Sequence, residues 1–411
     1  MPAPEPALGR AFLLLLVGGM LFTGTINTLL NKLQDLTCVE HCDDPARRHN
    51  FEQPVWQTLN MFIGEAACLL VYYISVAVES HRRTTTTAAA AFHPIADEAA
   101  PPTETSPLIA PGSRTPSDEI AAEDAVEPVP GRKPLTGWRN VFFLAPTLLD
   151  LTATTAMGYG LIYISASQYQ MLRGSVVLFT GLLSSIFLGR RHPLYRWVAL
   201  VTVFLGVAVV GLSGIVQSSS SPTVSSSPVG IFFVVLAQVF TASQFVIEEM
   251  IMARYEVPAL KAVGLEGIFG LLCVAVGMPI LHYTIGVRGT PGNYFDMFTG
   301  FHQVFDNPQV LYAGVGIIFS IAFFNWFGLS VTRHISSTSR STIDTCRTLF
   351  IWIVSLGLGW ETFKWLQVVG FAILVYGTFL FNDVVKPPAI FVPQTPQEDA
   401  AAAALRAEQD E

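Results

Sequence analysis

Nine charged side chains stand in stretches of this sequence that are otherwise apolar: Glu65, Asp150, Arg173, Glu248, Glu249, Glu266, Arg340, Asp344 and Arg347. A charge at the centre of a bilayer costs about 2.5–3.5 kcal/mol on insertion scales, so such groups face a partner or a water-filled cavity rather than lipid. Arg340, Asp344 and Arg347 fall at i, i+4 and i+7 and share one helix face. Arg173 closes the run Gln168-x-Gln170-Met171-Leu172-Arg173, with the Gln170 amide one turn earlier. A second amide, Asn325, stands in another apolar stretch, and Gln170, Asn325, Glu65, Asp150 and Glu266 are expected to line a solute-binding central cavity with Arg173, Arg340, Asp344 and Arg347. Two chemistries fit. In one, Arg173, Arg340 and Arg347 clamp an anionic solute, because a guanidinium meets a carboxylate or phosphate two-pronged. Asp344, Asp150, Glu65 and Glu266 are then counter-charges or proton carriers. In the other, Asp344 bridges the two arginines of its own helix and the acids lock helices together. Glu248 and Glu249 lie near a span's end, where one of the pair faces water.

These residues need helices that cross a membrane. Of 411 residues, 51% are hydrophobic and 13% charged, about half the usual charge of a soluble protein. The mean hydropathy is +0.48. That balance excludes a disulfide scaffold, a fibre, a disordered chain and most soluble enzymes. A crossing needs about 20 mostly apolar residues. Ten stretches qualify: 10–31, 54–77, 141–162, 166–188, 195–216, 229–251, 262–284, 309–331, 335–357 and 362–382. The weakest is 335–357, which carries Arg340, Asp344 and Arg347 in its first half. Without it the two ends of the chain would lie on opposite sides. The first stretch follows Arg10 but no A-x-A site follows it, so it reads as a retained helix rather than a signal peptide. With the N-terminus in the cytosol, 15 Lys and Arg fall in cytosolic segments, five outside and three within spans. This bias predicts both termini cytosolic. The organisation expected is helices 1–2 in 1–79, a disordered cytosolic loop in 80–139, helices 3–5 in 140–216, helices 6–10 in 229–382 and a disordered tail in 383–411.

The halves echo each other. Leu188-Gly189 and Leu358-Gly359 each end a span, and Gly206 and Gly377 lie deep in the spans that follow, with spacings that differ by one residue. The flanks differ in charge, Arg190-Arg191 against Trp360-Glu361. Equivalent loops on opposite faces are what a five-plus-five inverted repeat requires, an architecture of many secondary transporters. The fold class expected is an all-α polytopic membrane protein of ten helices. Small and hydroxyl residues, among them Gly18, Gly19, Thr152, Thr154 and Gly158, suit close packing or a cavity lining. There is no Walker A run, HExxH, zinc spacing or GxSxG. So no cofactor, metal, catalytic set or nucleic-acid partner is expected, and the chain reads as a non-enzyme. Cys38-x3-Cys42 in the first outer loop is either a disulfide or two thiols.

Five stretches carry a resemblance: TGTINTLLNKLQD (23–35), MFIGEAAC (61–68), SASQYQMLRGSVVLFTGLLSSIFLGRR (165–191), AFFNWFGLSVT (322–332) and STIDTCRTLFIWIVSLGLGWE (341–361). They resemble the drug/metabolite transporter superfamily, and within it solute carrier family 35, subfamily F, on the F-six branch. The resemblance implies ten helices in an inverted repeat around a central cavity, worked by alternating access, with helices 5 and 10 at the periphery. Other subfamilies exchange nucleotide sugars. Their GALNK-type motif is replaced here by Ser341-Thr342-Ile343-Asp344-Thr345, which puts that specificity in doubt. The branch is associated with lysosomal and mitochondrial membranes and with binding the adenine nucleotide translocator. In the 80–139 loop, Glu104, then three residues, then Leu108-Ile109 matches an acidic dileucine sorting signal. Together these favour a lysosomal or vacuolar membrane, with Golgi or mitochondria as the alternative. The function expected is secondary transport of a small organic anion; the alternative is a non-transporting adaptor. Expected partners are the bilayer, the solute, a second copy of the chain and the translocator.

Overall fold

The computed structural model describes residues 10–44, 48–90, 133–164, 166–218, 228–287, 295–359 and 365–386. Twelve helices carry it: α1 (Arg10–Leu36), α2 (Pro54–Ala90), α3 (Leu144–Ile162), α4 (Ala166–Arg173), α5 (Val176–Phe187), α6 (Leu194–Ser218), α7 (Pro228–Arg254), α8 (Ala259–Leu281), α9 (Met297–Phe305), α10 (Pro308–His334), α11 (Ser337–Gly357) and α12 (Trp365–Phe381). A 3₁₀ turn, Gly137–Phe143, leads into α3, and a π-helical turn, His282–Gly286, follows α8. Two short pairings complete the described residues: β1 (Cys38–Glu40) antiparallel to β2 (His49–Asn50), and β3 (Lys133–Pro134) parallel to β4 (Tyr255–Glu256).

Local signals set the helix starts. Asn307 Oδ1 accepts the Gln309 amide at 3.1 Å, with Pro308 at the first helical position, and α10 begins there. Ser336 Oγ accepts the Ser339 amide at 3.1 Å and starts α11. Asp296 caps α9 by accepting the Phe298 and Thr299 amides. Burial alone would raise that carboxyl, but the Thr299 hydroxyl, the two amides and nearby His282 outweigh it and hold it below its ordinary value.

Among the described residues, eight helical stretches are long and apolar enough to cross a membrane: 11–36, 54–81, 137–161, 168–187, 194–213, 228–254, 259–286 and 308–334. The other two of the ten expected fall short for different reasons. α12 is apolar but has 17 residues, about 25 Å of rise against about 30 Å of hydrocarbon. α11 has 21 residues, but its first half carries Arg340, Asp344 and Arg347. Apolar side chains line the outside, with Leu70, Val276 and Phe319 62–64% exposed, while many polar residues are buried. Two boundaries differ from expectation. α2 runs on to Ala90, with no Gly or Pro after Gly64 to break it, and Lys133–Pro134 is paired, so the expected 80–139 loop is narrower at both ends. The expected single helix over 166–188 is two, α4 and α5, because Gly174-Ser175 interrupts it.

The chain forms two compact units. The first comprises 1–151 and 247–335, the second 152–246 and 336–411. In the first, α1 packs on α10, and α2 packs on α8 and α10. In the second, α6 packs antiparallel on α12 over a core that includes Met171, Leu172, Val203, Val210, Phe371 and Leu374. The α6–α12 contact mirrors itself. A Cβ on Gly206 would lie 2.6 Å from Leu374 N and 2.8 Å from Gly370 O, and one on Gly377 would lie 2.8 Å from Val203 N and 2.9 Å from Ala199 O. The two backbones touch, and any side chain there would part them. The Leu-Gly pairs also match: Gly189 and Gly359 both adopt positive φ, 66° and 71°, and close the preceding helix.

Candidate functional site

Within the second unit, α4 and α11 bring one acid and two bases together. Arg347 Nη2 lies 2.6 Å from Asp344 Oδ1, at angles that make an ion pair but not a good hydrogen bond. Arg173 Nη2 lies 4.0 Å from the other oxygen, Asp344 Oδ2, at the limit of an ion pair. Asp344 and Arg347 are buried, and the Arg173 side chain keeps 18% of its surface. The Arg173 guanidinium also stands 5.9 Å from the Tyr169 ring, one turn back on α4. Arg340, buried one turn before Asp344, sets its guanidinium 4.0 Å from the Phe245 ring.

The break between α4 and α5 presents Arg173. Gly174 N bonds Met171 O at 3.1 Å and Ser175 N bonds Leu172 O at 3.0 Å, so the chain tightens to i−3 bonding there. Arg173 is the last residue of α4, and a cation is favoured at a helix C-terminus, where the peptide dipoles leave partial negative charge. A Cβ on Gly174 would lie 2.7 Å from a Leu374 methyl and 3.2 Å from Thr345 Cγ2, so the break is held against both α12 and α11. Three polar atoms at it are buried without a hydrogen-bond partner among the described residues: Gln170 Oε1, Arg173 Nε and Ser175 Oγ. By contrast, buried Gln168 spends its amide on Val210 O and Gly211 O of α6 and serves packing.

The first unit holds the other candidates. Buried Glu65 on α2 accepts from Asn325 Nδ2 of α10 through Oε1. Glu266 is buried on α8 and Asp150 is half-buried on α3; Glu248 and Glu249 on α7 are both buried, so neither faces water as expected. Cys38 and Cys42 are joined in a disulfide beside β1. The sorting residues Glu104, Leu108 and Ile109 lie outside the described residues. Among the described residues no group of three or more His, Cys, Asp or Glu could hold a metal.

Two guanidiniums converge on one carboxylate, and the outer one is held loosely and partly open. Sequence reasoning picked out Arg173, Asp344 and Arg347 but missed Tyr169, Ser175 and Phe245, which look like ordinary core residues. The signal for Ser175 was present: a Gly-Ser pair in mid-span marks a helix break.

The EamA-like transporter family matches residues 126–212, a stretch that includes α3 to α5 and most of α6. Solute carrier family 35 member F6 of Homo sapiens is 36% identical over 378 residues, covering 91% of this chain and 90% of that one. The Mus musculus protein of the same name is 34% identical over 383 residues, covering 92% and 91%. An uncharacterised protein of Schizosaccharomyces pombe is 35% identical over 373 residues, covering 90% and 97%. Identity at this level along nine-tenths of both chains is shared ancestry, and the chain is a polytopic membrane protein belonging to solute carrier family 35, subfamily F, with the member F6 proteins among its relatives.

Proposed function

We propose that the chain is a secondary transporter that moves a small organic anion across its membrane by alternating access. The observation that carries this is the Arg173–Asp344–Arg347 cluster beside a broken membrane helix. Interrupted helices are where such transporters expose polar backbone and side chains to solute. Asp344 is the resting counter-ion. An incoming carboxylate or phosphate competes for Arg173, the looser of its two partners, and gains two-pronged hydrogen bonds that Asp344 at 4.0 Å does not make. Unpartnered Gln170 Oε1 and Ser175 Oγ then take a solute hydroxyl or amide. The relatives named as solute carriers support the transport reading.

The same proposal takes α11 and α12 as full crossings, giving ten helices in a five-plus-five inverted repeat with both termini cytosolic. Matching αL glycines and the mirrored Gly206 and Gly377 contacts support the repeat. The charge count supports the orientation, and the Glu104-Leu108-Ile109 pattern supports a lysosomal or vacuolar membrane. The adaptor alternative has no observation of its own among the described residues.

The test is uptake by purified protein in liposomes, challenged with a panel of small metabolites. Arg173→Ala should raise the half-saturating concentration of an anionic solute about thirtyfold or more, since removing one side of a buried charge pair costs about 2–5 kcal/mol. Arg347→Ala should abolish uptake. Unchanged flux in both variants would end the clamp reading.

A further inference from the structure

The first unit contains a polar path that the anion cluster does not use. At its loop end, Gln57 Nε2 donates to Asp35 Oδ1 at 2.6 Å and to Gln34 Oε1 at 3.3 Å. One level deeper, Gly314 leaves room beside Asn60 and Gln34: a Cβ there would lie 3.2 Å from Asn60 Nδ2 and 3.5 Å from Gln34 Nε2. Along the same face of α1, Asn31 Nδ2 donates to Asn27 Oδ1 at 3.3 Å, and Asn27 Nδ2 to Ser320 Oγ at 3.1 Å. One to two turns further along α10, Asn325 Nδ2 donates to Glu65 Oε1. Asn27, Gln34, Asn60 and Glu65 are all buried. Helix-to-helix amide bonds serve as glue, but glue needs no acid, and this path ends on one.

Glu65 is placed to exchange a proton. Asn325 can hold either form, donating Nδ2–H to the carboxylate or, with the amide turned, accepting from the acid. Titratable groups stand near it on the helices packed in the first unit, among them Asp150 on α3, one turn on from Thr147, whose hydroxyl donates to Glu266 O at 3.4 Å. Cys68 stands one turn on along α2. Glu266 stands on α8 beside Gly267, whose Cβ would lie 2.6 Å from Glu65 Cβ. α1 has no titratable residue between Phe12 and Asn31, and α10 has only exposed Tyr312 before Arg333 and His334, two turns beyond Asn325. A second acid on the adjoining helix disfavours full negative charge on both.

We propose that Glu65 is a proton-binding site, reached from the α1–α2 loop end through this column, and that its proton couples to solute movement. In each cycle one proton adds to the Glu65 carboxylate from one side and leaves it on the other. Proton binding stands independently; the coupling rests on the transport reading.

Difference infrared spectroscopy of the full chain in lipid, titrated from neutral to acid, reads carboxylic C=O directly without any solute. The expected result is a band that grows on acidification, is missing in Glu65→Gln, and moves in frequency in Asn325→Leu, which removes its amide partner. The second variant decides the matter if Glu65→Gln does not fold. A wild type with no titrating band, or a band indifferent to both substitutions, overturns the site. In liposomes, a pH gradient should speed solute uptake by wild type several-fold. Glu65→Gln should lose that acceleration while keeping solute-for-solute counterflow. Uptake by wild type that ignores the gradient, or follows sodium instead, overturns the coupling. If no solute in the panel moves at all, the transport reading fails while the infrared result stands.

Discussion

Asp344 sits where one lost atom matters. Its carboxylate is buried with Arg347 at 2.6 Å, so removing the charge leaves a guanidinium without its counter-ion in a low-dielectric interior. Breaking a buried pair by taking away one partner costs about 3–5 kcal/mol, whereas replacing both with apolar residues is often close to neutral. Asp344→Asn should therefore lower the thermal midpoint in detergent by several degrees or more. The double change Asp344→Leu with Arg347→Leu should recover most of that loss while staying inactive in uptake. Recovery of uptake as well would mean that the pair serves packing alone. The i, i+4, i+7 spacing placed these residues on one face from sequence. It could not tell which arginine takes Asp344, because that depends on χ angles and on Arg173 arriving from α4. Nor could it separate Gln168, which braces α6, from Gln170 two positions on, whose oxygen stays unpartnered.

At the level of the elements, backbone contact governs α6 and α12. Gly206 and Gly377 meet main-chain atoms rather than the ends of flexible side chains, so an added side chain must push whole helices apart. Gly206→Val and Gly377→Val should each cost about 1–3 kcal/mol by overpacking, and the two costs should be similar because the contacts mirror one another. Thermal unfolding in detergent measures both; a large loss in one with none in the other would deny the mirrored packing. These glycines were legible as an echo in sequence, as were the Leu-Gly helix ends. The break at Gly174-Ser175 carried only a local signal in its Gly-Ser pair, because a hydropathy window averages across two residues and sees one uninterrupted apolar stretch. The same averaging undercounts α11, whose charges are satisfied by neighbours that a window does not see.

For the whole molecule, the testable consequence is sidedness. Ten crossings put both ends of the chain on one face, so tags at the N- and C-termini should both be reached by antibody only after the membrane is opened. A C-terminal tag reached from the face opposite the N-terminal one would require an odd number of crossings and would remove α11 or α12 from the count. Such an outcome would also dismantle the inverted repeat, since its two halves must each contribute five.

The sequence alone determined that the chain lives in a membrane, roughly where its helices run, which family it resembles and which charges are too costly to be idle. Each of these depends on composition or on local spacing, and both are written along the chain. Tertiary structure decided which of those charges meet. It set Arg173 and Arg347 about Asp344, gave Glu65 its amide from Asn325, and brought a scatter of Asn and Gln to one side of α1 and α10. These pairings join residues separated by up to 293 positions, as Asn27 and Ser320 are. Only packing sets such distances, through the backbone approaches that the small residues permit.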